Sequence, residues 1–241
     1  MCFSMQADVA AGGALLPVAA LALREVRHLR EVPFAALPLL FSAHQFVEAF
    51  VWAGVDGDVS SATAHTAAIT YLVFALPVLP SLVPIAVLLL EPRGARLRVA
   101  PFAVLGVVVS GYLGVALARG PVDVVPHAHA LEYSVHLDAG VVWAVLYVVA
   151  VIGPSVLSGY RSIVVFGVLN LIGLSLAAVL YVSAFASVWC VFAAMTSLLV
   201  LVHLYRRRHL SDDERLRGLS QRMRNVPGAG VHTHLGSGPN S

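Results

Sequence analysis

No lysine occurs anywhere in the 241 residues; all fifteen basic residues are arginine. Together with the excess of Ala, Val and Leu, that choice marks GC-rich coding and says nothing about function. Charge of either sign is also scarce. Charged residues make up 12% of the chain, about half the roughly 25% of a soluble domain. With 59% hydrophobic residues and a mean hydropathy of +0.86, too little polar surface remains to cover a globule in water. The shortage excludes an ordinary soluble domain and makes the bilayer the expected solvent.

Other absences narrow the function classes. Residues 1–9 carry no positive charge, whereas Arg24, Arg27 and Arg30 follow the first apolar stretch. A cleavable signal peptide has the opposite order, and no apolar region precedes Cys2 to make it a lipoprotein cysteine. HExxH, paired CxxC, GxSxG, Walker A and GxGxxG do not occur,. Without an internal repeat, an inverted-repeat transporter has no support. The net charge is only +2, with the arginines gathered at helix ends and in the tail. The pI of 8.7 therefore reflects membrane topology, and no nucleic-acid partner is expected.

What is present is a series of apolar stretches at about 9–26, 33–54, 64–90, 99–118, 139–158, 162–183 and 186–205. Each approaches the roughly 20 residues that cross about 30 Å of hydrocarbon. None alternates like a barrel strand, so the expected fold is all-α: a polytopic bundle of about seven spans over residues 1–205. The first span is the weakest, being short and holding Pro17; the third carries Pro77, Pro80 and Pro84 and is expected to kink,. With the N-terminus outside, fourteen arginines fall on the cytoplasmic side and only Arg119 outside. That bias orients the bundle in a cell membrane with a cytoplasmic C-terminus. Residues 206–241 read as an arginine-rich tail. Residues 211–224 suit a short amphipathic helix on anionic headgroups, and the Gly/Ser/Pro/His stretch after Pro227 suits disorder,.

Polar groups inside spans are the functional candidates. Glu48 is the one carboxylate well inside an expected span, with His44 one turn before it on the same face and Gln45 and Trp52 nearby,. The pair suits a proton relay, a metal half-site or a ligand contact; the plainer alternative is a hydrogen bond tying helices together. In the outer loop PVDVVPHAHALEYSVHLD, a helix after Pro126 would align His129, Glu132, Tyr133 and His136 on one face. That spacing, with His65 as a third source, would suit Zn²⁺ or another transition metal. Solvated histidines beside an interfacial tyrosine are the alternative. Cys2 and Cys190 both fall on the outer side, where they could form one disulfide, remain unlinked thiols, or serve as ligand or nucleophile,. Ser155, Ser158, Asn170, Ser175, Thr196 and Ser197 have the small polar character of helix contacts,.

Three stretches carry a resemblance: Met1-Cys2-Phe3-Ser4, PFAALPLLFSAHQFVEAFVW at 33–52, and ASVWCVFAA at 186–194. They resemble a bacterial, often actinobacterial, family of uncharacterised multi-pass integral membrane proteins with a Met-Cys-Phe-Ser signature. The resemblance implies the same architecture over most of residues 1–205, with Cys2, Glu48, Trp52, Trp189 and Cys190 as marked positions. It also implies Gln in many relatives at the position of His44, which leaves Glu48 the stronger candidate. No activity comes with it. The functions in play are an integral membrane protein around an outer site at Glu48, a membrane-embedded metal-dependent hydrolase of the outer leaflet, and a proton-coupled transporter or small-ligand sensor. The expected partners are the lipid bilayer and a lipid or small-molecule ligand.

Overall fold

A computed structural model describes residues 4–92, 94–127, 130–180, 192 and 194–209. The chain divides into two compact units, Met1–Tyr205 and Arg206–Ser241. The tail readings at 211–224 and beyond lie outside the described residues.

Helix α1 (Met5–Arg24) begins where the Ser4 side chain accepts from the Ala7 N–H at 3.3 Å. The start is four residues earlier than the apolar run suggests, and it draws Asp8 into the helix. The turn that follows is held by Glu31, whose Oε2 accepts from the Arg27 and His28 N–H groups at 2.9 and 3.3 Å. After the short α2 (Val32–Ala35) comes α3 (Leu37–Val55), which packs back along α1. Contact is close because Gly12 lacks a Cβ: one built there would meet the Phe46 ring at 3.1 Å. Beside it the Ser42 hydroxyl donates to the Gly12 carbonyl at 2.7 Å.

α4 (Ser61–Val73) is capped by Ser60 and continues through a π-helical segment, Phe74–Val78, into α5 (Leu79–Leu90). This π segment holds Pro77, one of the prolines from which a kink is expected, and the Tyr147 hydroxyl donates to the Ala75 carbonyl within it at 2.7 Å. α6 (Arg96–Arg119) lies against α5 at Gly106, where a Cβ would collide with the Pro80 carbonyl. α7 (Gly140–Val156), α8 (Arg161–Leu180) and α9 (Leu198–His209) complete the described helices. Asn170 of α8 donates to Thr196 Oγ1 at 2.8 Å, a contact of the small polar kind expected there.

Among the described residues, four helical stretches are long and apolar enough to cross a membrane: Met5–Arg24, Leu29–Val55, Ser61–Leu90 and Arg96–Arg119. Two shorter apolar helices follow, at Gly140–Val156 and Arg161–Ala177. α6 shows why water does not suit these surfaces. It buries Val109 and Leu113 yet exposes Val104, Val107, Val108 and Val115, so it is apolar all round.

Residues 122–135 correct one expectation. In place of a helix they form an antiparallel hairpin, β1 (Val122–His127) with β2 (Ala130–Val135), pairing Val124 with Tyr133 and Val122 with Val135. Val122, Val124, Val125 and Val135 favour a pleated backbone, and Pro126 disfavours the interior of a helix. One face carries Val124, Leu131 and Tyr133, which pack against Met5 of α1, Val51 and Trp52 of α3, and Ala67 and Ala68 of α4.

Candidate functional site

The hairpin changes the outer-loop constellation. In a strand neighbouring side chains point to opposite faces, so Glu132 and Tyr133 cannot share the face a helix would have given them. Glu132 Oε2 lies 2.8 Å from His127 Nε2, both side chains well exposed. His136 Nε2 is 3.9 Å from Asp138 Oδ1 at the surface. His65 is exposed near the start of α4, and His129 lies outside the described residues. Among the described residues no group of three or more His, Cys, Asp or Glu is gathered for a metal. The four-residue set is therefore not assembled by helical spacing. Cys2 and Cys190 also lie outside the described residues.

α3 brings together a different set. Ser42, Gln45 and Glu48 are fully buried, with His44 and Trp52 nearly so. His44 turns toward α4, its ring stacked on Tyr71 at 4.0 Å and 18°. Tyr71 stacks in turn on Tyr133 of the hairpin at 4.4 Å and 13°. On its other side His44 meets Phe74 at 4.6 Å. This aromatic column runs from the hairpin into the bundle, and it occupies the imidazole with ring contacts.

The residue missed by the sequence reading is Asp8, fully buried on α1. Its level relative to Glu48 is fixed from two directions. Gly12 meets Ser42 and Phe46, and Asp8 lies one turn beyond Gly12 toward the hairpin. Met5 and Trp52 share the hairpin cluster, and Asp8 and Glu48 lie one turn below them. At a rise of about 1.5 Å per residue both carboxylates therefore fall at nearly the same depth, to within about 3 Å. Asp8, Gly12, Leu15, Ala19 and Ala22 form the buried stripe of α1, a period visible in sequence once the helix start is known. Such carboxylates are costly to bury unless hydrogen-bonded or charge-compensated, and they can hold a cation or exchange a proton.

A second buried carboxylate site lies at the opposite end of α5. Glu91 Oε1 accepts from the Ser158 hydroxyl and from the Gly159 N–H at 2.7 Å, while its carbonyl accepts from Arg96 Nε at 3.1 Å. It fastens the α7–α8 turn to α5.

The fold and this buried set define a helical protein with several membrane-length apolar helices and a polar interior. The chain belongs to the family of unknown function DUF6629, whose sequence model covers residues 1–215. No curated protein and no solved structure matches it.

Proposed function

We propose that this is an integral protein of a bacterial plasma membrane whose working site is the buried set around Glu48, and that it couples protonation of that site to transport or sensing of a small polar solute. The reading is supported above all by one observation: Asp8 and Glu48, on adjacent apolar helices, are both fully buried. Charge inside a membrane span is rare and is commonly tied to ion or substrate pathways. The arginine distribution supports seven spans with the N-terminus outside and the C-terminus in the cytoplasm. In that orientation the hairpin and the Asp8–Glu48 level belong to the outer half, with lipid around the bundle.

A metal-dependent outer-leaflet hydrolase has less support, since Glu132 is engaged by His127 and His65 and His136 are surface residues. His44 is a ring-packing neighbour of the site, and Glu48 is the residue that carries the proposal. The test is proton flux in proteoliposomes containing a pH-sensitive dye, driven by a panel of small polar solutes. Wild type is expected to respond to at least one solute class, and Glu48→Gln to none. Equal responses from both proteins to every solute would overturn the reading.

A further inference from the structure

Ser162, in the first turn of α8, places its Oγ 2.6 Å from Nδ1 of His203 on α9. A hydroxyl within hydrogen-bond reach of an imidazole is the pairing that activates a serine nucleophile. The imidazole is buried and held edge-on by two rings, Phe34 at 5.8 Å and Tyr160 at 5.1 Å. The serine is only half-buried, so a substrate can reach it. Its backbone is held as well, because Glu91 anchors the preceding turn through Ser158 and Gly159. The Ile163 and Val164 N–H groups donate to the Tyr160 carbonyl at 3.0 Å each. Those of Arg161 and Ser162 stand at the positive end of the helix, where an oxyanion is favoured.

The surface beside the pair points to the substrate class. Val165, Leu169, Ile172 and Leu176 follow Ser162 at i+3, i+7, i+10 and i+14, so they continue one helix face, and all four are exposed,. Arg161, also exposed, stands at the head of that face. An apolar stripe that starts at a nucleophile, with a cation at its head, matches a long acyl chain esterified to a phosphate-bearing head group. We propose that Ser162 and His203 form a catalytic dyad that hydrolyses an acyl ester of a phospholipid at the membrane surface. Ser162 Oγ attacks the carbonyl carbon as its proton passes to His203 Nδ1. The tetrahedral intermediate collapses, the ester C–O bond breaks, and the alcohol leaves with that proton. Water then attacks the acyl-serine and gives a proton through Nδ1 back to Oγ, and the fatty acid departs. The pair shares no residue with the Glu48 set, so this activity stands apart from the one proposed there.

The test exposes the purified full chain in detergent micelles to a long-chain alkyl fluorophosphonate, which marks activated serines covalently, and maps the adduct by mass spectrometry. Fatty-acid release from phosphatidylglycerol in mixed micelles is followed in parallel. The adduct is expected on Ser162, and Ser162→Ala is expected to lose both labelling and release. His203→Gln should slow labelling by at least about a hundredfold, the usual share of a general base. His203→Phe keeps a ring against Phe34 and Tyr160, so it gives the same comparison should the Gln variant not fold. No adduct on Ser162 of folded wild type, or no fatty-acid release by it, would overturn the assignment. So would a folded His203 variant labelled at the wild-type rate, or release that persists in Ser162→Ala.

Discussion

The Ser42 hydroxyl donates to the Gly12 carbonyl across 2.7 Å, and this bond sets the register of α1 on α3. Everything inferred about the level of Asp8 relative to Glu48 depends on that register. Removing the bond with Ser42→Ala is expected to cost about 0.6–1.7 kcal/mol, the range for hydrogen bonds between membrane helices. Gly12→Leu is expected to cost more, about 1–3 kcal/mol, because the side chain would push into the Phe46 ring,. Unfolding in detergent by denaturant titration measures both.

Glycines elsewhere provide a matched contrast. Gly106 faces the Pro80 carbonyl and Pro84 Cγ, whereas Gly13 and Gly111 have open space where a Cβ would stand. Gly106→Ala should separate α5 from α6 and lower thermal stability. Gly13→Ala and Gly111→Ala should be neutral or raise stability by up to about 1 kcal/mol through helix propensity. Comparable losses at all three positions would contradict the described packing.

The hairpin makes unequal demands on its two faces. Glu132→Gln should change stability by less than about 1 kcal/mol, since the pair with His127 is exposed,. Tyr133→Ala should cost about 2 kcal/mol or more, because the ring stacks on Tyr71 and covers the Trp52 cluster,. A larger loss from Glu132→Gln than from Tyr133→Ala would mean that the strand faces are reversed.

Glu91→Ala is expected to release the turn between α7 and α8. It leaves the Ser158 hydroxyl and the Gly159 N–H without their acceptor, at about 2–4 kcal/mol for bonds to a buried charged group. Faster backbone hydrogen exchange confined to residues near 157–161 is the expected readout. Exchange unchanged there would show that the turn is held by other contacts.

Much of the helical organisation was legible because apolar length is a strong signal. The stretches at 33–54, 64–90 and 99–118 lie within the helical segments Leu29–Val55, Ser61–Leu90 and Arg96–Arg119. The prolines marked the irregularity that appears as a π segment around Pro77. Glu48 stood out because a carboxylate within an apolar run is conspicuous. Asp8 did not, because it sits one residue before the apolar run that defined the span, and only the Ser4 cap reveals that the helix starts earlier. The hairpin was obscured by a coincidence of spacing. His129, Glu132, Tyr133 and His136 suit a helical period, yet the β-branched valines around them and Pro126 favour a strand pair,. In that stretch backbone preference and cross-strand packing outweighed a pattern read from polar residues alone. Ser162 and His203 lie 41 residues apart in sequence, so their pairing can only be read from packed coordinates.

The central claim is that Asp8 and Glu48 form one site. A double-mutant cycle on unfolding free energy, using Asp8→Asn, Glu48→Gln and the double variant in the same detergent, tests it most directly. Groups at one depth on packed helices should couple by about 0.5–3 kcal/mol, whereas independent sites add to within about 0.5 kcal/mol. Clear non-additivity is the predicted result; additive effects would contradict a shared site and return Glu48 to a solitary structural contact.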